Sequence, residues 1–291
     1  MAPETSMIGD ADKQGFDSEG HIEASDGTNL HYLSRQVDRP KYQILAVHGL
    51  GEHGGRYAWF ADQITADGGN FCILDLRGHG LSQGRRGHSP SYQQLISDIE
   101  VFVSQQKIEH VPAFFFGHSL GGGLAINYAL DLSSESMKKR ASFVGFIACS
   151  PLLKLSFEPP AWKLFVAKTL VKIWPSFSLD RDIDPNILTR DKTRAEAYRT
   201  DPLNHELVSA GMTLGFLGAG ESALRAASKL NIPTLILHGE EDQVTDINSS
   251  RQFAESAGEV ANFRSFPGCY HELINETNRD QIAVVITEWI R

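Results

Sequence analysis

Ala113-Phe114-Phe115-Phe116-Gly117-His118-Ser119-Leu120-Gly121-Gly122-Gly123-Leu124-Ala125-Ile126 passes from an apolar β-rich run, through a turn with serine at its apex, into a glycine-rich helix start. A nucleophilic serine needs its Oγ lifted clear of the backbone at a helix N-terminus, where free N–H groups can receive developing negative charge. So tight a turn forces Ser119 into a strained φ/ψ region. The residues two before and two after it must then be tiny, and both, Gly117 and Gly121, are glycine. A bare G-x-S-x-G match also occurs in ordinary turns. The strand before it and the helix after it give this one its meaning.

A serine hydroxyl is a poor nucleophile without a base, and the base needs an orienting acid. Behind a nucleophile elbow the acid and then the histidine follow in chain order. His238-Gly239-Glu240-Glu241-Asp242 comes after the apolar run Thr234–Leu237, so an acid falls in a loop at the sheet's C-terminal edge. Asp242 is the choice there, with Glu240, Glu241 and Asp246 as rivals. Tyr270-His271-Glu272 follows the run ending Phe266-Pro267-Gly268. Of eleven histidines, His271 alone lies beyond the candidate acids, which makes it the expected general base. An acyl-transfer site also needs donors for an oxyanion. His48-Gly49-Leu50-Gly51-Glu52-His53 follows the run Tyr42–Val47, so the amides of Leu50 and Leu120 are the expected donors.

Around this constellation, β-rich runs alternate with helical patterns, as in a parallel sheet with crossover helices. The runs are Tyr42–Val47, Phe71–Leu74, Ala113–Phe116, Phe143–Ala148, Thr234–Leu237 and Asn262–Phe266. The earlier pair His21–Ala24 and Asn29–Ser34 reads as an edge hairpin. Helical patterns fall at Tyr57–Ala66, Tyr92–Gln106, Leu124–Leu132, Ser249–Ser256 and Asp280–Ile290. Residues 151–221 break the alternation after the sixth strand. They show no strand pattern and carry an apolar helix candidate, Pro160–Trp174, the position and content of a lid. The expected organisation is an acidic disordered arm (1–20), a core from 21–150 and 222–291, and a cap insertion (151–221).

The chain of 291 residues is 41% hydrophobic and 22% charged, an ordinary globular composition. Its net charge of −9 argues against nucleic acid and against electrostatic attachment to anionic lipid. Two basic clusters, Arg85-Arg86 and Lys138-Lys139-Arg140, read as solvated loops. Cys72, Cys149 and Cys269 are an odd number, which suits reduced thiols in a reducing compartment; Cys269, two residues before His271, reads either as an accessible thiol or as an inert packed one. The first 20 residues lack the basic and apolar regions of a secretory signal, so a cytoplasmic protein is expected. His48, His79, His118 and His238 all lie at strand ends but lack metal-ligand spacing, and the glycines do not follow the dinucleotide pattern, so neither metal nor cofactor is expected. Asp75-Leu76-Arg77-Gly78-His79-Gly80 reads as a loop stabiliser.

With these residues in view the chain resembles the α/β-hydrolases of the monoacylglycerol lipase group. The resemblance rests on His48 through Tyr57, on Asp75 through Ser82, on Gly117 through Gly122, and on Gly239–Asp242 with Tyr270-His271. It extends into the cap, in Leu188-Thr189-Arg190-Asp191 and Tyr198-Arg199-Thr200-Asp201-Pro202-Leu203. It implies a mostly parallel sheet flanked by helices with a helical cap, and cleavage of monoacylglycerol to fatty acid and glycerol by Ser119, Asp242 and His271 without a cofactor. It also implies peripheral contact of the cap with a membrane or lipid droplet, and headgroup contacts from Glu52 and Arg56. Mammalian members carry a second histidine three residues after the catalytic one, where this chain has Ile274. A lysophospholipase or broad carboxylesterase would use the same machinery. A non-catalytic ligand-binding scaffold would typically lack one of the three residues.

Overall fold

Tyr42–Val47 (β3), Gly69–Leu74 (β4), Ala113–His118 (β5), Gly145–Cys149 (β6) and Thr234–Gly239 (β9) are buried at every residue. Near-continuous apolar runs of this kind form strands covered on both faces. The computed structural model describes residues 15–133, 143–158, 168–169, 171, 173–181 and 183–291. Its eight-stranded sheet has the order β1-β2-β4-β3-β5-β6-β9-β10, where β1 is Ser18–Glu23, β2 Asn29–Arg35 and β10 Ala261–Phe266. From β4 to β10 every pairing is parallel, and the β1–β2 hairpin adds antiparallel at one edge. This is the doubly covered α/β sheet that the alternating pattern predicts.

The pleat sends alternate residues to opposite faces. Leu45, Val47, Phe115, Phe146 and Ile236 meet α2 (Tyr92–Gln106), α3 (Leu120–Leu132), α5 (Ala210–Ala226) and α6 (Ile247–Ala257). Ile44, Ala46, Phe114, Phe116, Ile147 and Leu235 meet α1 (Ala58–Ala66) and α7 (Arg279–Ile290). With both faces covered, the candidate residues lie at the rim where the parallel strands end.

Three features differ from the sequence reading. Strand β1 begins at Ser18, inside the segment read as a disordered arm. There Phe16 packs on Phe71, with ring centroids 6.4 Å apart, and the Arg35 guanidinium donates to the Gly15 carbonyl. The insertion does contain strands: Ser178–Asp180 (β7) and Leu207–Ser209 (β8) form a short antiparallel ribbon flanking α4 (Lys192–Thr200). Three-residue strands carry no readable alternation, which is why the pattern missed them. The boundary at 221 falls within α5, whose Met212, Phe216 and Ala223 belong to the main core. Of the two readings of Cys269 the packed one holds: the residue is fully buried, and burial pushes its thiol pKa up. Most of the Pro160–Trp174 helix candidate, and the cluster Lys138-Lys139-Arg140, lie outside the described residues. No helix among the described residues is long and apolar enough to cross a membrane.

Candidate active site

Ser119 caps α3 with φ 54° and ψ −115°, a left-handed backbone setting that costs on the order of 1–3 kcal/mol for a residue with a Cβ. The surroundings hold it there. Ser119 N–H donates to the Cys149 carbonyl at 2.9 Å, and its own carbonyl accepts from Leu152 and Gly123. A side chain at Gly117 would collide with the Gly121 backbone, and a Cβ at Gly121 would stand 2.6 Å from the carbonyls of Val47 and His48. The two glycines therefore let the elbow close on itself and on β3. Leu120 opens α3, so its N–H has no intrahelical partner and is free to face an anion.

Asp242 and His271 meet at the ends of β9 and β10. Asp242 Oδ2 lies 2.8 Å from His271 Nδ1 and also accepts from Thr245 Oγ1 at 2.9 Å, while Oδ1 accepts the N–H groups of Val244 and Thr245. The rival acids have other partners. Glu240 accepts from Ser265 Oγ, Asp246 caps α6 through Asn248 N–H, and Glu241 is exposed. His238 stands behind Asp242 at 3.2 Å and is fully buried. Burial opposes charge on Asp242, but His271 and His238 hold it well below the usual carboxylate range. Burial likewise pulls the His271 pKa down, yet the Asp242 charge and hydrogen bond outweigh it and leave the imidazole raised.

Ser119 and His271 line one small cavity of about 30 Å³, together with Gly49, Leu50, Glu52, His118 and Glu272 from the core and Arg181, Ile183, Leu188 and Tyr198 from the insertion. That volume suits a water or a small polar group. Leu50 belongs to a loop whose shape is fixed at several points. His48 Nδ1 donates to the Gly49 carbonyl at 2.7 Å, and Glu52 Oε1 accepts the Gly49 N–H at 2.6 Å. Gly51, at φ +81°, leaves room for Arg181 and the His205 carbonyl; the His205 N–H donates to the Gly51 carbonyl at 2.9 Å. The insertion is thereby fastened to the loop that carries Leu50.

Glu52 and Arg56 turn toward each other and toward Glu272. Arg56 pairs with Glu52, donates to both Glu272 oxygens at 2.8 and 2.6 Å, and stacks on the Tyr198 ring at 4.6 Å. Burial opposes the charge on Glu52, but Arg56 and its neighbours hold it down to about 2. Glu52 reaches the cavity; the described lining does not include Arg56. Sequence reasoning passed over Glu272, although it directly follows the candidate base. It also passed over Ser150, whose hydroxyl donates to the His271 carbonyl at 2.8 Å, and Thr245. The His118 ring lies tilted against that of His271 with centroids 4.9 Å apart, and burial lowers its pKa to about 4. Asp75 accepts the N–H groups of Gly54 and Leu81 and meets His31 Nδ1 at 2.9 Å, a hub for neighbouring loops.

Residues 38–278 match the protein family described as serine aminopeptidase, S33. An uncharacterized abhydrolase domain-containing protein of Dictyostelium discoideum is 33% identical over 89% of this chain, which spans 28% of that relative's length. The monoglyceride lipase of Homo sapiens is 32% identical, with 88% of this chain and 84% of the human protein aligned. The crystal structure of Paleococcus ferrophilus monoacylglycerol lipase superimposes with a TM-score of 0.80 at 30% identity, covering 89% of this chain and 97% of that one.

Proposed function

The chain is a member of the serine aminopeptidase S33 family of α/β-hydrolases, and on that premise we propose that it cleaves monoacylglycerols to fatty acid and glycerol through an acyl-enzyme. One observation carries the reading: a strained serine on a helix N-terminus shares a cavity with a histidine that is bonded to a buried aspartate. In this mechanism Ser119 Oγ attacks the ester carbonyl while His271 Nε2 takes its proton and Asp242 steadies the imidazolium. The amides of Leu50 and Leu120 receive the oxyanion. Glycerol leaves with the proton from His271. Water, deprotonated by the same imidazole, then releases the fatty acid.

The family description names an aminopeptidase, which must hold a free α-ammonium. The two carboxylates lining the described cavity, Glu52 and Glu272, are both taken up by Arg56, which favours a neutral alcohol group over an amine. For the encounter with lipid, the insertion exposes Phe157, Ile173, Trp174 and Leu179. With a net charge of −9, attachment through these apolar groups is favoured over attraction to anionic headgroups, and peripheral contact with a membrane or lipid droplet is part of the proposal.

A fluorophosphonate probe should label Ser119 in the native enzyme and leave Ser119→Ala unlabelled. That variant should lose monooleoylglycerol hydrolysis by several orders of magnitude with its thermal unfolding unchanged. Rates on monooleoylglycerol, lysophosphatidylcholine and a short nitrophenyl ester fix the substrate class. A short-ester optimum with no long-chain activity would replace the lipase reading by a carboxylesterase, and a lysophosphatidylcholine optimum would replace it by a lysophospholipase.

A further inference from the structure

Glu272 follows the candidate base in the chain, is buried, and has most of its acceptor capacity in use. Its oxygens take two Arg56 N–H groups, at 2.8 and 2.6 Å, and Asn275 Nδ2 at 3.0 Å. Arg56 in turn pairs with Glu52, whose Oε1 accepts the Gly49 N–H at 2.6 Å and the Tyr57 hydroxyl at 2.9 Å. A planar guanidinium forked between two carboxylates holds them in a defined geometry, which an ammonium would not do. One side of this fork is the loop carrying Leu50; the other is the loop carrying His271, 216 residues away in sequence.

We propose that Glu272 is a positioning residue that, through Arg56 and Glu52, fixes the loop of the base relative to the loop that supplies the Leu50 amide. The carboxylates border the cavity, but their hydrogen bonds run to Arg56, Gly49, Tyr57 and Asn275, so the clamp acts on the machinery. The inference rests on the proposed catalytic roles of Ser119 and His271.

The test is Glu272→Gln, which keeps shape and removes charge, on two esters of the same acyl chain: a monoacylglycerol and a nitrophenyl ester lacking the glycerol. The expected result is a kcat lower by tenfold or more on both, with KM within about twofold. The rate of fluorophosphonate labelling at Ser119 should fall in parallel. The acidic limb of the rate profile should move to lower pH, since Asp242, Glu272 and Glu52 face His271 with their carboxylates and His118 with its ring, and the variant removes one of the three negative charges. Arg56→Lys, which keeps every charge and loses the fork, should lower kcat and the labelling rate alike while leaving the acidic limb in place, and the double variant should be no worse than the worse single one. If Glu272→Gln does not fold, Arg56→Lys carries the kcat, KM and labelling readings. Unchanged kinetics, or a loss confined to the glycerol ester, would overturn the clamp. Failure of the native enzyme to label at Ser119 would instead overturn the catalytic reading beneath it.

Discussion

The rim of the sheet and the insertion above it use similar apolar residues in opposite ways. In β3 through β6 and β9 such residues are buried on both faces, and the loops that leave β3, β4 and β9 are pinned by hydrogen bonds to neighbouring loops. In the insertion Ile173 is 79% exposed and Trp174, Phe157 and Leu179 are about half exposed, while Met212 and Phe216 join the main core and Leu188 and Tyr198 pack with Val244 on the inner side. Chemistry that requires sub-ångström placement belongs on the rigid part. A surface that meets lipid must keep apolar groups outside, each forgoing roughly 1.5–3 kcal/mol of burial. The difference therefore separates reaction from substrate access.

The sharpest way to break this separation is Asp242→Asn. On the rigid side a single atom change should lower kcat by about 10⁴-fold, the size expected when the orienting carboxylate becomes an amide. Its pH dependence is also fixed in sign. The base acts only when neutral, so the native rate should rise through a limb above the ordinary histidine value of about 6.5, because Asp242 raises the imidazole. Without that carboxylate, burial pulls His271 down and the limb should shift to lower pH, as a residual-rate profile would record. A native limb below 6 would contradict the geometry.

A smaller effect, on stability, is expected from Gly121→Ala, whose Cβ would face backbone carbonyls rather than yielding side chains. Chemical denaturation should show a loss of about 2–4 kcal/mol, and full stability would mean that the elbow is less tightly packed than described. Least of all should the exposed insertion residues matter for folding. Ile173→Ser, Trp174→Ser and Leu179→Ser should each change stability by no more than about 0.5 kcal/mol. Combined, they should weaken flotation with phosphatidylcholine vesicles while sparing the rate on a soluble short ester. Equal loss on both esters would place these residues in the machinery and erase the contrast.

How much could be read in advance follows the same division. Tyr92–Gln106 has the bounds that periodicity predicts, because a helix of that length carries several repeats of its pattern, and Tyr42–Val47 has the bounds of its apolar run. The β7–β8 ribbon was invisible, since three residues hold barely one alternation. Helix α3 starts at Leu120, four residues before its pattern is readable, because the glycines of the elbow carry no hydropathy signal.

What the chain's linear order determined by itself is local: a serine between glycines two residues either side, with an apolar run before and a helix after, has few conformations open to it. The steric rule acts within five residues, so it is written in those five. Which of Glu240, Glu241, Asp242 and Asp246 meets His271, and that Arg56 bridges Glu52 to Glu272, only the folded sheet decided. Those contacts join loops brought together by parallel strands, and electrostatic partnership at such separation depends on where β9 and β10 end, not on any spacing along the sequence.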